Sequence, residues 1–331
     1  MTTRAATAIA GTNIALVKYW GKRDAALNLP AAGSLSLTLA DLGTRTRVAF
    51  VEGLAADRVV LNGAVADASV AARVSRFLDR VRARAKVDAR AEVTTENSVP
   101  TAAGLASSAS GFAALALAAA RAARLDASAP ELSELARLGS GSAARSIFGG
   151  FVEMAAGERA DGRDAVAAPV AGGEAFSEVR LVVAVTSAGA KAIGSTAAME
   201  HTARTSPFYA AWIAGVPADL VEARAAIQAR DLRRLGAVAE RSALRMHASA
   251  MAADPGILYW NPATLAAIEA VRALRAAGTA AYFTIDAGPH VKVLCAAADA
   301  PSVEATLARA PGVLRTVVAS PGPGARIVEA T

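Results

Sequence analysis

The stretch from residue 91 to residue 124 constrains this chain most. Ala91 to Thr95 reads as a strand, Pro100-Thr101-Ala102-Ala103-Gly104-Leu105-Ala106-Ser107-Ser108-Ala109 follows, and Leu105 to Arg124 is dominated by Ala and Leu, which are good helix formers. Gly104 allows close backbone approach, and Ser107 and Ser108 stand where helix-capping residues belong. The free N–H groups of a first helical turn, with the positive end of the helix dipole, form an anion site that needs no basic side chain. On its own the segment reads equally as an ordinary Ser-capped helix after a glycine turn.

The surrounding pattern gives an α+β order rather than a regular βαβα repeat. Asn13 to Trp20 reads as a strand, followed by a tight turn at Gly21-Lys22-Arg23-Asp24. Ser34-Leu35-Ser36-Leu37-Thr38-Leu39 alternates strictly, leucines on one face and hydroxyls on the other, the period of a half-buried strand. Asn62-Gly63 between apolar runs signals a hairpin. Val70, Val74, Phe77, Leu78 and Val81 predict an amphipathic helix over 70–85, packed on the sheet.

Glycine-rich, charged Asp161 to Glu174 reads as a surface excursion. A strand at Val179 to Thr186 leads into helices around Leu220 to Arg230, Asp231 to Ala252 and Pro262 to Ala276. Strands at Ala281 to Asp286, Val291 to Ala296 and Val313 to Ala319 follow, with a short helix at Ser302 to Ala308. At roughly 100–200 residues per domain, the length suits two, 1–185 and 186–331.

Hydrophobic residues make up 54% of the 331, but much of that is alanine and only 5% is aromatic, so the composition is Ala/Arg-rich rather than membrane-like. Arg121 and Arg124 break the richest apolar stretch short of a membrane span. Asn13 and Lys18 interrupt the N-terminal apolar stretch, which argues against a secretory signal and for a cytoplasmic protein. A single cysteine, Cys295, excludes an intramolecular disulfide or a multi-cysteine metal site and reads as a small core hydrophobe. The net charge of +6 could suggest a nucleic-acid partner, but it comes from scattered arginines with no basic run and no interleaved aromatics, and an anionic small substrate fits it equally well; no nucleic-acid partner is expected.

The loop at 100–109 resembles the second signature of the GHMP small-molecule kinase superfamily, and lacks the Gly-Lys-Ser/Thr ending of a Walker-type P-loop. Three further stretches are similar to the diphosphomevalonate decarboxylases: Asn13-Ile14-Ala15-Leu16-Val17-Lys18-Tyr19-Trp20-Gly21-Lys22-Arg23-Asp24, Ser140-Gly141-Ser142-Ala143-Ala144-Arg145-Ser146-Ile147-Phe148-Gly149-Gly150-Phe151, and Thr284-Ile285-Asp286-Ala287-Gly288-Pro289-His290-Val291-Lys292. Gly194-Ser195-Thr196 and Met246-His247-Ala248 continue the likeness. It implies a GHMP kinase fold: a ribosomal-protein-S5-like N-terminal region, a C-terminal α/β region, and an active site in the cleft between them.

The resemblance also implies roles. ATP phosphates would lie on Pro100, Ala102, Ala103, Gly104, Leu105, Ala106, Ser107 and Ser108, with the Ser108 hydroxyl on Mg2+. Asp286 would orient the 3-hydroxyl of mevalonate 5-diphosphate and can accept its proton, kept ionised by Lys18 and Arg145, while Arg145 grips the substrate carboxylate. Tyr19, Lys22, Ser140 and Ser142 would hold the diphosphate, and Ser195 would stand near the transferred phosphoryl group. His247 reads as a structural residue and His201 as a surface one. His290 replaces the expected asparagine, and Ala31-Ala32-Gly33 replaces residues more often polar. A decarboxylase of mevalonate 5-phosphate shares all these parts. A mevalonate 3-kinase is disfavoured by the Asp-Lys-Arg set, and a non-catalytic GHMP-fold sensor by its intact catalytic groups. Relatives of this kind are often homodimers.

Overall fold

The structure, a computed structural model, describes residues 4–98, 107–189 and 191–330. In chain order its elements are β1 (Arg4–Val17), β2 (Lys22–Asp24), β3 (Leu29–Pro30), β4 (Ser34–Val51), β5 (Arg58–Leu61), β6 (Ala64–Val65), α1 (Ala68–Ala85), β7 (Arg90–Asn97), α2 (Ser107–Ala122) and α3 (Ala129–Gly139). A 3-10 turn at Gly141–Ile147 precedes β8 (Phe151–Met154), β9 (Ala167–Pro169), β10 (Val179–Val185), α4 (Ser195–Thr205), α5 (Tyr209–Gln228), α6 (Leu232–Met251) and α7 (Pro262–Ala276). β11 (Tyr282–Ile285), β12 (Val291–Ala296), α8 (Ala300–Ala308), β13 (Arg315–Ala319) and β14 (Arg326–Ala330) complete the described chain.

Two sheets organise these elements. The first runs β14-β1-β4-β7-β5-β6, with β8 also on β4 and β9 on β8; the second runs β11-β12-β10-β13 and is antiparallel throughout. The leucines at 35, 37 and 39 are fully buried, as their alternation predicts, and join Leu181, Val183 and Leu294 of the second sheet in one core with residues of α5 and α6. Burying each such side chain contributes about 1.5–3 kcal/mol. α2 and α1 cover the other face of the first sheet, where Phe77 meets Phe112 edge to face. α7 and α8 cover the outer face of the second sheet, over Val182, Val291, Val293 and Cys295. Burial pushes the Cys295 thiol up to about 12, as suits an inert core residue.

Asn62 and Gly63 both take positive φ and close the β5–β6 hairpin with Val60 opposite Val65. Departures from expectation have local causes. The residues read as a turn, Lys22–Asp24, pair instead with β3, because Gly21 at φ +105° makes the reversal one residue earlier. The predicted surface excursion after Asp161 is partly inward: β9 pairs with β8 and Ala165 and Ala167 are buried. The hydroxyl face of β4 is not solvated, since Ser34, Ser36 and Thr38 are fully buried. No helix among the described residues is long and apolar enough to cross a membrane.

Candidate active site

β1 ends at Val17, where the Lys18 backbone N–H donates to Ser242 Oγ on α6 and not to a further strand partner. The Lys18 side chain is thereby turned toward the second sheet, donating to the Ala15 carbonyl at 2.8 Å and to Asp286 Oδ1 at 2.6 Å. Asp286 stands just past the end of β11, with Oδ2 3.1 Å from the ammonium of Lys292 on the neighbouring β12. Burial would raise the Asp286 pKa, but the two ammonium groups outweigh it and hold the carboxyl well below the usual range. The Lys18 ammonium is lowered to about 8, by burial first, with Asp286 opposing and Lys292 and Arg145 adding to the fall. Both lysines are nearly inaccessible, whereas a third of the Asp286 side chain is exposed, facing a cleft of about 670 Å³.

Arg145 sits in the 3-10 turn and is fully buried. Its Nε donates to Ser36 Oγ at 3.0 Å, Nη1 to Ser34 Oγ at 2.5 Å and Nη2 to Asn13 Oδ1 at 3.2 Å. The hydroxyl face of β4 thus serves as a cradle for a guanidinium. Among the described residues no carboxylate pairs with Arg145, whose opposite charge reaches Asp286 through space, and Lys292 supplies the second ion pair. Burial lowers Arg145 to about 10, the field of Asp286 acting against the fall without contact. Its guanidinium lies 5.9 Å from the Tyr19 ring centroid.

The Tyr19 hydroxyl is buried with no hydrogen-bond partner among the described residues, and burial raises it to about 12. Any side chain at position 141 would collide with that ring, which gives the Ser140-Gly141-Ser142 pattern a steric reason. Ser140 and Ser142 stand 3.3 Å apart, and Ser140 opens the 3-10 turn without capping it through its side chain. Lys22 Nζ reaches Asn28 Oδ1 at 2.7 Å and Thr196 Oγ1 at 3.4 Å. Ser195 opens α4 and accepts from Lys191 Nζ at 2.7 Å; Lys191 also donates to the Ala287 carbonyl at 3.2 Å. Ser108, exposed in the first turn of α2, lines the same cleft as Lys18, Tyr19, Lys22, Arg145, Ser195 and Asp286. Pro100, Ala102, Ala103, Gly104, Leu105 and Ala106 lie outside the described residues, and of Ser107 only the backbone is described.

Sequence reading missed several residues that the fold brings here. Asn13 links the strand to the 3-10 turn, donating to the Ser142 carbonyl and to Ser146 Oγ while accepting from Arg145. Arg73 of α1 lines the cleft, donates to the Gly139 carbonyl at 2.8 Å and covers the Phe112 ring. Lys191 and Lys292 were also missed. The chain has five lysines against thirty arginines, and four of the five (Lys18, Lys22, Lys191 and Lys292) are at this cleft or on Asp286. That bias was a readable signal.

The two histidines nearest the site are structural in placement. His247 is buried, its Nε2 3.3 Å from the Ile285 carbonyl, and burial followed by Lys18 lowers it to about 3. His290 Nδ1 accepts the Thr186 backbone N–H at 3.2 Å, a contact that an asparagine carbonyl could equally make. His201 is half-buried rather than free on the surface, with Nε2 2.9 Å from the Pro255 carbonyl.

Comparison with known proteins gives these contacts a lineage. Residues 10–167 match the diphosphomevalonate decarboxylase-like N-terminal domain, and residues 181–316 the mevalonate 5-diphosphate decarboxylase C-terminal domain. The chain is 39% identical over 320 residues to diphosphomevalonate decarboxylase mvd1 of Aspergillus fumigatus, covering 91% of this chain and 79% of that one. The human diphosphomevalonate decarboxylase is 38% identical, covering 87% and 76%. The crystal structure of mevalonate diphosphate decarboxylase from Staphylococcus aureus superposes with a TM-score of 0.95 at 38% identity, covering 99% of each chain. That from Enterococcus faecalis superposes at 0.91 and 40% identity, covering 99% and 100%. The GHMP kinase-type fold and its two sheets accord with that likeness, and the chain belongs to the diphosphomevalonate decarboxylase family.

Proposed function

We propose that this protein uses ATP and Mg2+ to phosphorylate the 3-hydroxyl of mevalonate 5-diphosphate and decarboxylate the product, giving isopentenyl diphosphate, ADP, phosphate and carbon dioxide. The observation that carries the reading is one ionised carboxylate, Asp286, held between ammonium groups and open to a cleft whose lining also carries Lys22, Lys191, Arg73, Arg145, several hydroxyls and one further acid, Glu200. A 3-hydroxy acid does not readily lose carbon dioxide with departure of hydroxide. Phosphorylation of that hydroxyl makes it a good leaving group, and the electrons of the departing carboxylate then form the new double bond. Catalysis here is chiefly orientation and electrostatic placement.

In this reading Asp286 accepts a hydrogen bond from the 3-hydroxyl and aims it at the γ-phosphate. Arg145 is suited to the substrate carboxylate, since its guanidinium is desolvated and has only neutral partners. Tyr19, Lys22, Ser140 and Ser142 supply donors for the diphosphate, and the unpartnered Tyr19 hydroxyl is ready to give one. Ser195, already tied to Lys191, stands near the transferred phosphoryl group. The segment 100–108 takes the nucleotide phosphates on backbone N–H groups.

The donor set fits Mg2+, which takes one or two protein oxygens and fills its remaining positions with phosphate oxygens and water; Ser108 offers such an oxygen at the cleft. Bound there, the ion would offset charge on the phosphates. A similar solved protein, TM-score 0.93 at 40% identity, is described as a complex with MVAPP, AMPPCP and magnesium, which supports both ligands. Residues 1–185 carry the ATP-binding part and 186–331 the part bearing Asp286. β10 and β14 cross that division, the first lying in the second sheet and the second in the first. The same reading takes the working form as a cytoplasmic homodimer, which sedimentation of the purified protein checks.

The test is incubation with ATP and Mg2+ plus either mevalonate 5-diphosphate or the 5-monophosphate, with ADP and carbon dioxide measured separately. Carbon dioxide from the diphosphate is the expected result. Preference for the monophosphate overturns the substrate, and ADP without carbon dioxide overturns the decarboxylation.

A further inference from the structure

Lys292 occupies a position where a charge is costly. It lies on β12, opposite Thr284 of β11 and Val183 of β10, on the face that Leu294 turns into the shared core, and is 2% exposed. Its neighbours Val291 and Val293 and the remaining strand residues Leu294 and Cys295 are fully buried and apolar or nearly so. An aliphatic side chain would avoid the cost of desolvating an ammonium. The ionic partner the structure gives it is Asp286 Oδ2, at 3.1 Å, while Lys18 holds Oδ1 at 2.6 Å. Lys18 alone already supplies the counter-charge, so a second ammonium is surplus to neutralisation. Its geometric effect is different. The terminal torsion of an aspartate is broad, and separate anchors on its two oxygens fix the plane of the carboxylate.

We propose that Lys292 is a positioning residue, its buried ammonium holding the second oxygen of Asp286 so that the carboxylate meets the substrate hydroxyl in one fixed plane. The proposal rests on the assignment of Asp286 as the hydroxyl-orienting group. The charged and titratable groups facing Asp286 are Lys18 at the end of β1, Lys292 on β12, Lys191 from the loop before α4, Arg145 from the 3-10 turn, and His247 of α6 behind the Ile285 carbonyl. Lys292 also acts on Lys18, being among the causes that bring that ammonium to about 8.

The test uses the full chain labelled with [6-13C]lysine, whose five lysine signals are assignable by single substitution. Lys18 is titrated in the wild type, Lys292→Met and Lys292→Arg, and the same proteins are assayed for carbon dioxide release. In Lys292→Met the Lys18 midpoint is expected to rise above about 8. A carboxylate free to rotate should lower kcat about 10–100-fold, with the KM for ATP within about threefold. Lys292→Arg should keep the Lys18 midpoint low and recover part of kcat. An unmoved Lys18 midpoint would mean that Lys292 places no charge on this pair, and a purely structural lysine would leave kcat of the folded variant near wild type; either that unmoved midpoint or a kcat within about threefold of wild type in Lys292→Met overturns the proposal. If Lys292→Met does not fold, Lys292→Gln removes the charge while keeping a donor. If the wild type releases no carbon dioxide, the functional assignment fails by itself, and the Lys18 titration still decides whether Lys292 shares Asp286.

Discussion

At the Asp286 end of the cleft, each lysine that touches the carboxylate forms an ion pair within the protein. At the Tyr19 end, Arg145 rests on two serine hydroxyls and an amide oxygen, Lys22 on an amide and a threonine with Glu200 acting on it through space, and Arg73 on a carbonyl, with no ion pair to any of the three among the described residues. The carboxylate of the first end is already paired on both oxygens before any ligand arrives. The second is a set of desolvated cations and one hydroxyl unpartnered among the described residues, which in the proposed function await a carboxylate and a diphosphate. In that proposal the first end serves the chemical step, in kcat, and the second serves recognition, in KM.

Replacing Asp286 by asparagine breaks the first end most directly. The amide keeps the shape but cannot take a proton or hold two ammonium groups, so kcat should fall about 10²–10⁴-fold with ATP affinity little changed. Single-turnover assays alongside nucleotide-binding titrations check this. Turnover near wild type would remove the distinction between the two ends.

Arg145→Gln breaks the second end. Loss of a charge-assisted bidentate contact of about 1.5–3 kcal/mol should raise the KM for the mevalonate substrate about 10–100-fold. A stability cost accompanies it, because Ser34, Ser36 and Asn13 keep buried polar atoms that the guanidinium satisfied. Thermal unfolding separates that cost from the kinetic effect. A fall confined to kcat would place Arg145 with the first end.

The pH profile sharpens the comparison. Burial lowers the Lys18 ammonium to about 8, and it must be protonated to hold Asp286. Stated as kcat/KM, which reports free-enzyme groups, activity should be level below that pH and fall about tenfold per unit above it. Asp286 and His247 add no acid limb near neutrality, because one stays ionised and the other, lowered to about 3, stays neutral. A bell centred near pH 7 would contradict this placement of charges.

The sequence exposed one end better than the other. Lys18 and Asp286 stood out within long motif matches, and their partnership is what the fold delivers. Lys292 did not, because a lysine in the run Val291 to Ala296 reads as a residue leaning to solvent, and only the pairing of β12 with β11 aims it at Asp286. Ser34 and Ser36 misled in the opposite sense: period-2 alternation says which residues share a face, not whether that face meets water or a guanidinium. The hairpin at Asn62-Gly63 and the helix through Phe77 were legible because their causes are local. β14 was not, since its pairing of Ala330 with Ala6 joins the ends of the chain. The same limit hid Asn13, whose partners Ser142, Arg145 and Ser146 lie about 130 residues away.

Tyr19→Phe is the finest cut across the comparison. The Tyr19 hydroxyl has no partner among the described residues, so its removal breaks no hydrogen bond seen there and takes one unsatisfied polar atom out of a buried place. Stability should hold or rise slightly. If the hydroxyl gives its hydrogen bond to the diphosphate, a neutral donor of about 0.5–1.5 kcal/mol is lost, and the KM for the mevalonate substrate should rise about 2–10-fold at unchanged kcat. A phenylalanine variant with wild-type KM would mean that the hydroxyl stays unpartnered in the complex as well. The Tyr19 end would then recognise its ligand by charge alone, through Lys22, Arg73 and Arg145. A raised KM with unchanged stability would make Tyr19 a group whose only partner is the substrate, the clearest contrast with Lys18, whose partner is already in the fold.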